Sequence, residues 1–97
     1  MRVIAKKTLR EFWELHPEVE ESLLSWFREV ERGEWDTPAK VKLRYPNSSI
    51  VGDNRVVFNI KGNAYRLVVK INYPYRVVYI RFVGTHADYD RINVEEV

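Results

Sequence analysis

The sequence predicts a single α+β domain in which a helical hairpin packs on one face of a mainly antiparallel sheet. Three observations lead there. The N-terminal third repeats apolar residues at three- and four-residue steps, residues 55–83 alternate them in three short runs, and 97 residues suffice for one core but not two. With 45% hydrophobic and 31% charged residues, the composition is that of a folded chain rather than a disordered one.

Taken in order, residues 2–5 form a short β-branched run that reads as a first strand. Thr8, with Glu11 three residues on, has the form of a capping box. It starts a helix over about residues 9–15, with Leu9, Phe12 and Trp13 at helical spacing. Pro17 suits the first position of a second helix, with Glu18, Glu20 and Glu21 at its start, Arg28 and Arg32 near its end, and Gly33 as its stop. Val19, Leu23, Trp26, Phe27 and Val30 make its apolar face. Trp13, Trp26, Trp35 and Phe27 are therefore assigned to packing and not to a stacking platform, and His16 to a cap or surface position.

Asp36, Thr37 and Pro38 open a short basic helix that runs to Arg44, ahead of Pro46. Residues 47–54 read as a connection, with turn clusters on either side of Ile50 and Val51. Residues 55–60, 65–71 and 77–83 are strands of an antiparallel meander, turned at Lys61-Gly62-Asn63 and Asn72-Tyr73-Pro74. After Gly84 a turn or short helix and a frayed end are expected. Helices on one side leave the other face of the sheet open to water, with Arg66 and Lys70 on that face.

Charge is unevenly divided. Residues 7–36 hold four basic and nine acidic side chains, whereas residues 37–85 hold nine basic ones against Asp53 alone. A basic half interleaved with Tyr and Phe suits a polyanion, whose phosphates supply attraction and whose bases stack on rings. Strands that carry Lys and Arg to discourage aggregation give the same pattern. The absence of cysteine excludes disulfides and thiolate metal sites, and two separated histidines argue against structural zinc. Without a leader-like apolar run or a stretch of about 20 apolar residues, no membrane partner is expected and a cytoplasmic location follows.

Residues 54–90, NRVVFNIKGNAYRLVVKINYPYRVVYIRFVGTHADYD, closely resemble the HigB-type toxins of the RelE superfamily. The resemblance lies in three blocks in order: NRVVFNIKGN at 54–63, YRL at 65–67 and VYIRFVGTHADYD at 78–90. The preceding TPAKVKLRYP resembles the family's linker. The resemblance implies a RelE-like β-α-α-β-β-β fold over the whole chain. It further implies cleavage of messenger RNA on the translating 70S ribosome with no metal ion or other cofactor. A HigA-type helix-turn-helix antitoxin is the implied partner, through which alone operator DNA would be met. In such chemistry the RNA 2′-hydroxyl attacks the adjacent phosphorus, leaving a cyclic phosphate and a free 5′-hydroxyl. The protein must supply a base, an acid, and cations for the phosphoryl oxygens.

His86, the one histidine of the basic half, is the first candidate for acid or base, against a purely local role in the turn after the last strand. Lys61, beside Gly62, is a candidate base or phosphate ligand, against an exposed turn lysine, and Asn63 of the same turn is a candidate RNA contact. Arg66 and Arg76 offer planar forks to a phosphate, Lys70 adds a less directional cation, and Arg81 is a further candidate RNA contact. Regular alternation puts Arg76 and Arg81 on opposite faces unless a bulge near Pro74 intervenes. Tyr89 suits stacking or hydroxyl donation, and Asp90 suits orienting His86 or an arginine, or capping a helix. Two other readings fit the same residues: a non-cleaving RNA-binding protein, and a degenerate toxin that retains only antitoxin binding.

Overall fold

The computed structural model describes residues 1–97. A first strand β1 (Arg2–Ile4) leads into α1 (Lys6–Leu15), a single 3-10 turn (Pro17–Val19), α2 (Glu20–Arg32) and α3 (Pro38–Arg44). The strands β2 (Ser49–Val51), β3 (Arg55–Ile60), β4 (Tyr65–Asn72) and β5 (Val77–Thr85) follow, and then α4 (His86–Tyr89). The five strands form one sheet in the order β1-β5-β4-β3-β2, antiparallel except for β1, which runs parallel to β5. No helix is long and apolar enough to cross a membrane.

Three local expectations are corrected. Helix α1 begins at Lys6, after Ala5 in an extended conformation and with no side-chain cap. Thr8 lies inside the first turn, where its N–H donates to the Ala5 carbonyl at 3.1 Å, so it cannot cap from outside. At this start the Lys6 ammonium lies 4.8 Å from the centre of the Phe27 ring on α2. Pro17 opens a 3-10 turn rather than α2 itself. His16 caps nothing with its side chain and instead stacks on Phe12, ring centres 4.4 Å apart. The Thr37 cap of α3 is present, accepting from the Lys40 N–H at 3.4 Å.

Residues 49–51 are a fifth strand rather than mere connection. Asp53 and Asn54 both take left-handed φ (58° and 59°), which reverses the chain and sets Val51 against Arg55. The helical side of the sheet presents Val56, Phe58 and Ile60, then Tyr65, Leu67, Val69 and Ile71, then Val78, to Leu9, Val19, Leu23, Trp26, Phe27 and Val30. Phe58 lies at the centre, edge-on to Trp26 and Tyr45 and stacked on Trp35.

The opposite face is not wholly open. Register aligns Val57, Val68 and Phe82 across β3, β4 and β5 on that face, and Val57 and Val68 are buried. Their cover is the C-terminal segment, which therefore does not fray. Arg55, itself buried, donates through Nε (3.0 Å) and Nη2 (2.6 Å) to the Val97 carbonyl and through Nη1 to Asp53 (2.8 Å). Turns closed by Arg91, Ile92, Glu96 and Val97 N–H groups order the chain between α4 and that clasp. Three aligned apolar side chains are costly in water, and Ile92, Val94 and Val97 of the segment clasped by Arg55, the C-terminal strap, are themselves half-buried.

Leu23 is fully buried and Leu43 is 81% exposed. Leu23→Ala is expected to lower unfolding free energy by about 2–5 kcal/mol, while Leu43→Ala changes it by less than about 0.5 kcal/mol, as measured by urea denaturation.

Candidate functional site

The turn from β3 to β4 and the junction of β5 with α4 meet at one end of the sheet. Lys61 and Gly62 both adopt left-handed φ (52° and 64°), and nothing lies within 4 Å of the place a Gly62 side chain would occupy. The glycine therefore serves the backbone conformation here, not a steric need. The Ala64 carbonyl of this turn accepts from the His86 N–H at 3.1 Å, and Tyr65 pairs with Thr85. His86 is thus fixed at the first position of α4.

Thr85 and Asp88 form a reciprocal capping box. Thr85 Oγ1 accepts from the Asp88 N–H at 3.1 Å, and Asp88 Oδ2 accepts from the Thr85 N–H at 3.4 Å. Neither residue was singled out from the sequence, although Thr85-x-x-Asp88 is a capping pattern readable there. Gly84, one residue earlier, reads in the sequence only as the opening of a turn. An added Cβ would come within 2.6 Å of Phe82 Cζ and 3.2 Å of Asp88 Cβ, so a side chain there would displace the Phe82 ring and crowd α4.

Arg66 stands opposite Gly84 on β5 and Asn59 on β3, on the face away from the long helices. Its Nη1 donates to the carbonyls of Asn63 (3.1 Å) and Tyr65 (3.2 Å), and no carboxylate pairs with it. That leaves the guanidinium tethered but electrostatically unsatisfied. The His86 imidazole is exposed, with Nδ1 3.6 Å from Asp90 Oδ2, one turn on. Tyr89, half-buried on α4, and Asn63, exposed in the turn, complete the group.

The remaining candidates lie elsewhere. Lys61 belongs to the turn, but its ammonium reaches to the helical side and donates to the Glu18 carbonyl at 3.2 Å. There the Tyr65 hydroxyl donates to the Glu18 carboxylate, holding that carboxyl below its ordinary value and raising the tyrosine above its own. Lys70 lies four residues beyond Arg66, about 13 Å along β4, and is paired with Asp53 at 3.1 Å. Hydrogen bonds from Lys70 and Arg55 hold the Asp53 carboxyl below its usual value. Arg76 is not on β5 at all but in the β4–β5 turn, roughly 30 Å from His86 by strand length. The bulge that governs β5 falls at Arg81, not near Pro74: Val68 pairs with Phe82 and Val69 with Ile80, leaving the exposed Arg81 as the extra residue.

The largest cleft, about 490 Å³, lies on the helical side between α2, Tyr45 and Asn59 to Gly62, and includes neither His86 nor Arg66. That cleft carries the carboxylates of Glu21 and Glu29, which repel a polyanion. A phosphodiester strand is held on an open surface by cations and donors, which makes the His86 end the better candidate for a polyanion.

Residues 19–92 match the family model of the HigB toxin, described as the RelE-like toxic component of a toxin–antitoxin system. The chain belongs to the HigB toxin family. The mRNA interferase toxin HigB of Escherichia coli K12 is 29% identical over 92 residues, which cover 93% of this chain and 88% of that protein. The mRNA interferase HigB of Escherichia coli O6:H1 is 24% identical over 94 residues, covering 95% of this chain and 91% of its own. The α+β architecture, with α1 and α2 on one face of a mostly antiparallel sheet, is that of a RelE-like HigB fold. As a HigB toxin, the chain is one half of a toxin–antitoxin pair.

The depressed carboxyls fix the sign of the acid response. Glu18 and Asp53 contribute stability that is fully present above their unfolded values near 4.5 and 3.8, and that is lost as pH falls through the lower folded values. The thermal midpoint is therefore expected to fall below about pH 4, and Asp53→Asn to lower it at neutral pH while flattening its acid decline. Thr85→Ala is expected to cost about 1 kcal/mol and to speed hydrogen exchange at the His86 amide, read by NMR.

Proposed function

We propose that this chain is a messenger-RNA endoribonuclease that cuts translated messages at the His86 and Arg66 end of its sheet. The observation that carries the reading is that two hydrogen bonds, His86 N–H to Ala64 and Arg66 to Asn63, bring a titratable imidazole and an unpaired guanidinium to one exposed edge. The names of the related proteins support the substrate class.

In this scheme the RNA 2′-hydroxyl attacks the neighbouring phosphorus, the bond to the 5′-oxygen breaks, and a cyclic phosphate and a 5′-hydroxyl result. His86 exchanges the proton at one of these oxygens and water exchanges the proton at the other, with Asp90 beside His86 Nδ1 favouring a ring orientation that leaves Nε2 toward the RNA. Arg66 donates to a non-bridging phosphoryl oxygen as charge builds there. Asn63 contacts the strand and Tyr89 stacks on a flanking base. Lys61 contributes by tying the turn to the helical layer through Glu18. The substrate is messenger RNA on the ribosome in the cytoplasm. A HigA-type helix-turn-helix antitoxin silences the toxin and is its only route to operator DNA.

The test is induction in growing bacteria with mapping of new messenger-RNA 5′ ends, alongside a control in which ribosomes are inhibited. New ends inside translated frames that disappear in the control are expected. His86→Ala should reduce them by about 10²- to 10⁴-fold and Arg66→Ala by about 10²- to 10³-fold. Absence of new ends from folded protein, or full cutting by both variants, would contradict the proposal.

A further inference from the structure

Tyr79 lies on the same sheet face as Arg66 but at the far end, beyond the apolar belt of Val57, Val68 and Phe82. Register sets it between Lys70 on β4 and Ile4 on β1, with Asn72, Val77 and Arg2 aligned in the next row. Neighbouring strands are about 5 Å apart, so these side chains border one surface. The adjoining β4–β5 turn adds Tyr75, 79% exposed, and Arg76, also exposed. Asn72 Oδ1 accepts from the Tyr75 N–H at 3.2 Å, and the Arg76 carbonyl accepts from the Arg2 N–H at 2.9 Å, so turn and sheet are held together. A cleft of about 300 Å³ opens among Asn54, Lys70, Asn72, Tyr73, Pro74 and Tyr79.

Arg76 occupies a left-handed φ of 57°, where glycine or asparagine costs less. The turn geometry does not account for an arginine there, whereas a role for its side chain does. The acidic neighbours are Asp53, already bonded to Arg55 and Lys70, and Asp36, which feels the Arg76 charge; neither Arg2 nor Arg76 is in an ion pair. Exposed tyrosines flanked by arginines outside any ion pair are the elements from which single-stranded nucleic acid is gripped without sequence readout.

We propose that this end is a second RNA-binding subsite, in which bases stack on Tyr79 and Tyr75 while Arg76 and Arg2 meet the phosphates. The proposal rests on the ribonuclease reading and adds to it a grip remote from the cutting end. The same RNA chemistry is offered by the message beyond the cut and by ribosomal RNA. The C-terminal strap separates this end from His86, so the RNA held here contacts the protein apart from the reacting phosphate.

The experiment uses His86→Ala protein, in which binding is read without cleavage. Affinities are measured for short and long single-stranded oligonucleotides and for vacant ribosomes. Adding Tyr75→Ala and Tyr79→Ala is expected to weaken binding by about tenfold or more, with Tyr79→Phe retaining it because the ring remains. Arg76→Gly should lower the slope of log affinity against log salt by about 0.7, while leaving the thermal midpoint near that of its parent. Loss confined to long oligonucleotides assigns the subsite to the message, and loss confined to ribosomes assigns it to ribosomal RNA; either supports it. Unchanged binding to both overturns the subsite, and weakened antitoxin binding in those same variants would make the surface a protein contact instead. If the His86→Ala parent bound neither RNA nor ribosomes, the ribonuclease reading would fall as well.

Discussion

Strand β4 has a neighbour on each edge and a cover on each face, and that double burial governs where the chemistry of this chain can sit. Leu67, Val69 and Ile71 face the helices, while Val68 faces the C-terminal strap, and all four are fully buried. A strand so enclosed cannot slip by one residue without turning its apolar set toward the wrong side. Its two cations on the strap face, Arg66 and Lys70, are consequently held at opposite ends of an apolar belt. One is left free at the turn, and the other is spent on Asp53.

The free end is held by short-range connections. The β3–β4 turn holds Arg66 through Asn63 and holds α4 through Ala64, while Lys61 anchors the same turn to Glu18 on the helical side. The turn is thus a bracket between the two layers and the exposed edge. Its left-handed residues at 61 and 62 turn the chain between β3 and β4.

Much of this was legible in the sequence wherever a local period or a turn signal decided the outcome. The three long strands, the apolar face of α2 and the Thr37–Pro38 start of α3 each follow from residues within a few positions of one another. What escaped depends on distant partners. β2 is a strand because β3 pairs with it, and the C-terminal segment is ordered because Arg55, 42 residues away, clasps Val97. The candidate site divides in the same way. His86, Asp90, Tyr89, Asn63 and Arg66 are close because β4 and β5 are antiparallel neighbours, which alternation could suggest. The bulge at Arg81 shifts the parity of β5, and Arg76 falls in a turn, so counting odd and even positions misassigned both.

The most direct measurement is a crystal structure of the protein bound to RNA whose 2′-hydroxyl at the cut position is methylated, so that attack is blocked. This account predicts the scissile phosphate within hydrogen-bonding distance of the His86 imidazole and the Arg66 guanidinium. A scissile phosphate seated instead beside Lys70 and Arg76, or in the helical-side cleft near Lys61, would contradict it.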